Sequence, residues 1–170
     1  MFAIRLLEPS DAEALRALRL AALKSDPDAF LTTWEEERER TAADFAERLR
    51  DRARDPACSV HGGFDGGALS GMVGTMRGPR AREQHKAAIW GLWVAPLARR
   101  RGLARGLMRA AIDHLRTAGG VEQVQLLVTS SQTAAHELYL SLGFTSFGRE
   151  ARAMKVGERY LDEEHMVHVL

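Results

Sequence analysis

The chain has 170 residues, 45% of them hydrophobic and 28% charged, which predicts one globular domain over residues 1–170 and excludes a disordered chain. Its 24 basic and 23 acidic side chains leave a formal net charge of +1, so a dedicated nucleic-acid or membrane-surface binder, which normally carries a large basic excess, is not expected. Cys58 is the only cysteine, which excludes an intramolecular disulfide and a thiolate zinc site. No window approaches about 18 consecutive apolar residues. We therefore expect a cytoplasmic protein without a metal site.

The first fifty residues predict a strand followed by two helices. An apolar run of strand length covers residues 2–7. Ser10 and Glu13 make a capping-box signal, and small and apolar side chains then recur at helical spacing as far as Ser25. Thr41 can cap a second helix, because its hydroxyl can accept a hydrogen bond from a free amide of the first helical turn.

A hairpin and a buried strand are predicted in the middle of the chain. Residues 58–64 and 68–76 flank the sequence Asp-Gly-Gly at 65–67. These turn residues tolerate the positive φ of tight turns, so two antiparallel strands are expected. Residues 78–85 are polar and contain a proline, which indicates a loop. Residues 86–94 are continuously apolar, as is typical of a central strand buried on both faces.

The second half of the chain predicts alternating helices and strands. An amphipathic helix follows Pro96 and ends at the glycine pair 119–120, because glycine favours the left-handed conformation that terminates helices. The remaining predicted elements are a buried strand at 124–128, a helix at 131–142, and strands at 144–148 and 165–170 with a loop at 154–164 between them. The strand–helix–strand order implies parallel neighbours, whereas the hairpin implies antiparallel ones. We therefore expect a mixed α/β (α+β) sheet with helices on both faces.

An arginine-rich turn between the strand at 86–94 and the following helix is the most informative stretch. Free backbone N–H groups and the positive end of the helix dipole favour an anion there, and small residues keep side chains out of its way. The fit is to a pyrophosphate, because neither a triphosphate loop nor a dinucleotide fingerprint is present. A solvated arginine cluster is the alternative. The turn comprises Arg99, Arg100, Arg101, Gly102, Leu103, Ala104 and Arg105.

Two motifs resemble the GCN5-related N-acetyltransferase (GNAT) superfamily. Arg99-x-x-Gly102-x-Ala104 matches its Arg/Gln-x-x-Gly-x-Gly/Ala motif, and residues 135–144 resemble a later signature in which a Leu-Tyr pair precedes Gly-Phe. The resemblance implies a single-domain GNAT-like fold with a central, mostly antiparallel sheet of about seven strands. It also implies that the strands at 86–94 and 124–128 splay apart.

The resemblance further implies acetyl-coenzyme A (acetyl-CoA) as the cosubstrate. Leu92, Trp93 and Val94 would line the pantetheine arm and the acetyl group, and a backbone N–H near Val94 would polarise the thioester carbonyl. Main-chain amides of residues 100–104 would hold the pyrophosphate. Gln132 stands where the family commonly has an asparagine, seven residues before the tyrosine, and is expected to bind the pantetheine amide.

Catalysis is expected to use Tyr139 as the general acid that protonates the departing thiolate. The alternative is a structural tyrosine that closes the core. A glutamate is common in the family at the position of Ala88, and the strand at 86–94 has no acidic side chain. The general base is therefore open among water, an amine that arrives neutral, and the side chains of Glu35, Glu36, Glu83, His85 and His165.

The expected reaction is direct acetyl transfer to a primary amine of a small molecule or of a peptide or protein N-terminus. Glu35 and Glu36 are candidates for attracting a cationic acceptor, although an acidic run is often only a solvated face. A ping-pong route through Cys58 is a minor alternative. A noncatalytic acyl-CoA-binding sensor or structural protein is the rival function. We expect no nucleic-acid or membrane partner, and a monomer or homodimer.

Two tryptophans leave one structural question open. A regular strand sends Trp90 and Trp93 to opposite faces of the sheet, whereas a bulge between them changes which one faces the cleft. We expect Trp90 to pack in the core.

Overall fold

The computed structural model describes residues 2–170. Its sheet has seven strands: β1 (Ala3–Leu6), β2 (Ser59–Asp65), β3 (Ala68–Arg77), β4 (Lys86–Val94), β5 (Gln123–Thr129), β6 (Thr145–Val156) and β7 (Arg159–Val169). They lie in the order β1-β2-β3-β4-β5-β7-β6. Five neighbouring pairs are antiparallel and the β4–β5 pair is parallel. The predicted mixed, mostly antiparallel sheet is confirmed.

Helices cover both faces of this sheet, as expected. They are α1 (Ala12–Ser25), α2 (Trp34–Arg38), α3 (Ala42–Arg52), α4 (Leu103–Thr117) and α5 (Thr133–Ser141). Met72 and Val73 are consecutive residues of β3, so their side chains point to opposite faces. Met72 packs in a core with α1 and α3, whereas Val73 packs in a second core with α4 and Tyr139 of α5.

One of the two predicted helix caps is present in the structure. Thr41 caps α3 as predicted, because its hydroxyl accepts from the Asp44 amide while Asp44 accepts from the Thr41 amide at 2.6 Å. The capping box expected at Ser10 and Glu13 is wrong. The box joins Glu8 and Asp11 instead, since Pro9 begins a short 3₁₀ turn ahead of α1.

The loop expected over residues 154–164 is also wrong. β6 and β7 form a long hairpin that pairs Met154 with Leu161 and Val156 with Arg159, and Gly157 turns it with a φ of 59°. β6 is an edge strand with mostly exposed side chains. Its polar sequence therefore lacks the apolar run that indicated strands elsewhere.

A bulge in β4 determines which faces of the sheet Trp90 and Trp93 occupy. Trp90 pairs with Gly74 and Trp93 pairs with Met72, so β4 has one more residue than β3 in this interval. Gly91 takes up the distortion with a φ of 65°. The extra residue places both indoles on the side of the sheet that carries α1 and α3. Trp93 is buried in that core, whereas Trp90 is only partly buried against it and is the tryptophan that borders the space between β4 and β5.

Candidate active site

A cleft opens where β4 and β5 separate. Their parallel pairing covers Lys86–Gln123, Ala87–Val124 and Ala88–Gln125 and stops there. At the other edge of β4, the bulge leaves Gly91 and Leu92 without a partner on β3. Gly91 and Leu92 therefore have no register partner on either neighbouring strand. The predicted splay of these two strands is confirmed.

Two adjoining cavities make up this splay cleft. The inner cavity is lined by Leu92, Gln132 and Tyr139, and the outer cavity, of about 510 Å³, reaches Arg19 and His165. The residues common to both are Ala29, Phe30, Ile89, Trp90, Gly91, Leu126, Leu127 and Glu163. A long ligand can therefore enter along α5 and meet a second ligand from the side of α1.

The turn before α4 has the geometry of an anion site. Gly102 is the N-cap residue with a φ of 87°, and Arg100 has a φ of 60°. The Gly106 amide makes the first helical bond, to Gly102 O at 3.0 Å, so the amides of residues 103–105 precede the helical ladder. A Cβ at position 102 would meet nothing within 4 Å, which leaves open space in front of these amides. The turn therefore fits a pyrophosphate.

Three arginine side chains of this turn have protein partners. Arg99 donates through Nη2 to Asp26 at 2.7 Å and through Nε to Val94 O at 2.9 Å. Arg101 forms an ion pair with Asp65. Arg105 donates to the Ser141 hydroxyl at 2.9 Å, which links the start of α4 to α5. These side chains fix the turn, so binding of an anion falls mainly to the backbone.

Of the other residues predicted to bind the coenzyme, some line the cleft and others are buried in the two hydrophobic cores. Leu92 and Gln132 line the inner cavity. Leu103 is buried in the core, so only its backbone is available. Trp93 is buried beside α1 and its Nε1 donates to Asp26 at 2.8 Å. Val94 packs in the core beneath α4. Trp93 and Val94 can therefore meet a ligand in the cleft only through their backbone.

Tyr139 has the protonation state that a general acid needs. Its side chain lines the inner cavity, is only 7% exposed, and packs 6.0 Å from the Phe144 ring, centroid to centroid. Burial raises the pKa of the Tyr139 hydroxyl to about 12, because the phenolate is poorly solvated there. The hydroxyl therefore carries its proton at neutral pH.

The acidic run after α1 does not gather its carboxylates at the cleft. Glu36 caps α2 by accepting from the Thr33 amide at 2.7 Å, and this bond lowers the pKa of Glu36. Glu35 lines a separate groove with Lys24. Glu37 is buried and pairs with two arginines. The run therefore shapes α2 and its surroundings, and neither Glu35 nor Glu36 lines the splay cleft.

Of the other candidate bases, His165 alone lines the cleft. It borders the outer cavity and lies 3.5 Å from Glu150. Glu83 pairs with Arg80 at 3.0 Å in the loop before β4. His85 accepts through its carbonyl from the amides that lead into β5. These two residues therefore belong to the entrance of the β4–β5 pair.

Sequence reasoning missed Glu163, the acidic side chain that borders both cavities. It is 7% exposed and lies on β7, where it is paired in register with Thr129. Burial, reinforced by the charge of Glu150, raises the pKa of Glu163. The alternation of Leu161, Glu163 and His165 is a strand signal, but Leu161 and Glu163 fall in the segment 154–164 that the polar sequence predicts to be a loop.

The fold and this cleft are those of the acetyltransferase (GNAT) family. The chain belongs to the acetyltransferase (GNAT) family, whose model matches residues 20–144.

Known proteins resemble the chain over most of its length. It is 33% identical over 152 residues to the mycothiol acetyltransferase of Thermobispora bispora, covering 84% of this chain and 46% of that protein. The mycothiol acetyltransferase of Salinispora tropica is 33% identical over 141 residues, covering 79% and 45%. The chain thus spans about half the length of these curated relatives.

Solved structures share the fold. A GNAT acetyltransferase from Streptococcus pneumoniae has a TM-score of 0.91 at 24% identity, with all of both chains covered. A putative acetyltransferase from Salmonella typhimurium, solved with its cofactor acetyl-CoA, has a TM-score of 0.88 at 20% identity and covers 100% of this chain and 94% of that one. Within residues 2–170, no helix is long and apolar enough to cross a membrane. The same residues contain no group of three or more His, Cys, Asp or Glu side chains placed to hold a metal ion.

Proposed function

We propose that this chain is an acetyl-CoA-dependent N-acetyltransferase that transfers the acetyl group directly to an amine. One observation carries the proposal: Tyr139 lines the cleft between β4 and β5, and β4 leads into a glycine turn whose amides precede the helical ladder of α4. A ligand with a pyrophosphate at one end and a reactive group at the other matches this arrangement. The single continuous sheet supports treating residues 1–170 as one acetyltransferase domain.

The coenzyme site is built mainly from backbone. Amides at residues 100–104 bind the pyrophosphate, with Arg99, Arg101 and Arg105 holding the turn in place. Gln132 and Leu92 line the path of the pantetheine arm. Bound acetyl-CoA supplies an activated acetyl thioester. Gly91 and Leu92 have no register partner on β3 and line the inner cavity, and a backbone N–H there donates to the carbonyl oxygen of the thioester.

Two side chains move protons in the proposed reaction. The Glu163 carboxylate accepts a proton from the acceptor ammonium, which leaves a neutral amine able to form the new C–N bond. As the C–S bond breaks, the Tyr139 hydroxyl gives its proton to the thiolate sulfur, and the second proton lost by the acceptor nitrogen as the amide forms restores the Tyr139 hydroxyl. Glu163 therefore supplies the base that the strand at Ala88 lacks, which weakens the case for a noncatalytic sensor.

The acceptor is a small molecule or a peptide or protein N-terminus. Both kinds occur among the similar proteins by name, in the mycothiol acetyltransferases and in a ribosomal-protein-alanine N-acetyltransferase from Brucella melitensis at 24% identity. The protein is expected to act in the cytoplasm as a monomer or homodimer.

Thiol release tests the proposal. The protein is mixed with acetyl-CoA and a panel of primary amines, and free thiol is followed with a colorimetric reagent. We expect amine-dependent release, and a loss of about 100-fold in kcat for Tyr139→Phe. Tyr160 is the other tyrosine and lies exposed on β7, so Tyr160→Phe is the matched control and keeps full activity. Tight binding of coenzyme A without turnover on any amine would support the sensor instead.

A further inference from the structure

A second pocket adjoins the outer cavity on the side of α1 and α3. It has a volume of about 300 Å³ and shares Arg19, Thr32 and Trp90 with the outer cavity. Four arginines and one glutamate line it: Arg19, Arg40, Arg48, Arg52 and Glu37. We call it the arginine pocket. Its shared wall makes it a continuation of the splay cleft.

The charges in this pocket do not cancel. Glu37 is occupied by Arg48 at 3.1 Å and Arg40 at 3.5 Å. Arg19 and Arg52 form no salt bridge with any residue between positions 2 and 170. Both arginines are instead stacked on aromatic rings. The pocket therefore has an excess of positive charge beside the acceptor side of the cleft.

Arg19 is the most unusual of these residues. Its side chain comes from α1, is only 9% exposed, and lies over the Phe30 ring at 4.5 Å. Its Nη1 is buried and has no hydrogen-bond partner among residues 2–170. Burial lowers the pKa of Arg19, and the charge of Glu37 only partly opposes this effect. A buried guanidinium with an unused donor is costly unless an anion completes it.

Trp90 and Arg52 add further hydrogen-bond donors to that of Arg19. The Arg52 guanidinium lies over the Trp90 ring at 4.5 Å, and burial lowers its pKa. Trp90 Nε1 is a second buried donor without a partner among residues 2–170. The three residues that hold two unpaired donors and an unpaired guanidinium thus line one small space. Guanidinium groups bind the oxygens of carboxylate and phosphate in pairs, which matches this geometry.

We propose that the arginine pocket binds an anionic group of the acceptor, so that the acceptor has a carboxylate or phosphate as well as its amine. This inference rests on the proposed function, because it names the substrate class of the same site. Glu163 meets the amine on the β7 side of Trp90, while Arg19 and Arg52 hold the anion on the side of α1 and α3. The acceptor is then zwitterionic, in contrast to the purely cationic amine expected from the acidic run at Glu35 and Glu36.

Matched substrate pairs test this proposal. L-α-amino acids are compared with their primary amides, and 2-aminoethyl phosphate is compared with 2-aminoethanol, with thiol release as the readout. We expect kcat/KM to be at least about 10-fold higher for the anionic member of one series, the size of one charge-assisted contact. The series that shows the difference distinguishes a carboxylate from a phosphate. Equal rates for charged and neutral members of every pair would overturn the proposal.

Variants connect the preference to the pocket. Arg19→Gln and Arg52→Gln are expected to reduce kcat/KM for the preferred anionic amine at least about 10-fold and to leave coenzyme A affinity unchanged. Arg54→Gln is the matched control, because its side chain is 81% exposed and pairs with Asp51. If Arg19→Gln fails to fold, Arg52→Gln still decides the question. Unchanged preference in the folded variants would overturn the assignment.

A binding measurement separates this proposal from the enzymatic one. The same amino acids, amides, phosphate and alcohol are titrated into the protein without acetyl-CoA, and tryptophan fluorescence is recorded. We expect saturable binding of an anionic member that Arg52→Gln weakens, whether or not any amine is acetylated. If an anionic member binds but no amine is acetylated, the enzymatic function alone is contradicted. If no anionic member binds and the charged and neutral amines are acetylated at equal rates, the anion pocket alone is contradicted.

Discussion

The indole of Trp90 lies directly across Gly74 of the neighbouring strand. A Cβ at position 74 would stand 2.1 Å from Trp90 Cζ2, so the missing side chain of Gly74 makes room for the ring. Trp90 borders the splay cleft and the arginine pocket. This one contact therefore sets the shape of the wall that the two cavities and the pocket share.

Gly74→Ala is predicted to displace Trp90 and impair use of the acceptor. Backbone on β3 cannot yield easily in the middle of a sheet, so the ring has to rotate away. We expect kcat/KM for the acceptor to fall at least about 10-fold, with coenzyme A affinity nearly unchanged. Gly148→Ala is the control, because its Cβ would meet His165 Cβ at an ordinary 3.9 Å. Equal activity of both variants would show that Trp90 does not shape the site.

The pH dependence of the reaction is predicted to follow Glu163. A base has to be deprotonated, so activity falls as pH falls through its pKa. Burial and the charge of Glu150 raise that pKa, while His165 opposes the shift, which places the acidic limb above the usual value for glutamate. Glu163→Gln is expected to lower kcat about 100-fold and to remove this limb. A pH–rate profile that keeps the limb in the variant would assign it to another group.

The same shift makes a prediction about stability. Because the folded protein holds the Glu163 proton more tightly than the unfolded chain does, this group favours folding at low pH, and that contribution is lost as pH rises through the folded pKa. Glu163→Gln is therefore expected to be at least as stable as the parent at neutral pH, with the difference vanishing in acid. Denaturant unfolding at several pH values measures it. A lower stability at neutral pH would contradict the raised pKa.

The anion-binding turn gives a charge-specific prediction. Gly102→Glu places a carboxylate in front of the free amides and forces a side chain onto a φ of 87°. We expect coenzyme A binding to be lost in calorimetry. Arg109→Gln is matched in its change of net charge and lies exposed farther along α4. Unchanged affinity in Gly102→Glu would remove the pyrophosphate assignment.

Sequence patterns anticipated the features that depend on local chemistry. The glycine turn before α4, the cap at Thr41 and the splay implied by the family motifs are set by a few neighbouring residues, and the structure has each of them. The β6–β7 hairpin was not predicted, because an edge strand does not need an apolar run. The position of Glu163 in the cleft was not predicted either, because a buried acid is recognised only when the strand that carries it is known.

The arginine pocket could not be predicted from the sequence for a different reason. Arg19 and Arg52 are far apart in sequence and come from two helices that pack together, and neither residue stands in a motif. Their charges are also cancelled in the total of +1. Only tertiary packing places them in one space with the unpaired donor of Trp90.

Arg19 is expected to serve ligand binding and to lower the stability of the protein without ligand. Methionine in its place keeps an extended apolar stem against Phe30 and removes the buried, unsatisfied Nη1. A buried donor left without a partner costs about 1–3 kcal/mol, so we predict that Arg19→Met raises Tm by about 2–4 °C. Arg54→Met, exposed on the surface, is the control and leaves Tm unchanged. A lower Tm for Arg19→Met in thermal unfolding would show that attraction to Glu37 outweighs the burial of Arg19, and would make this arginine part of the structural core.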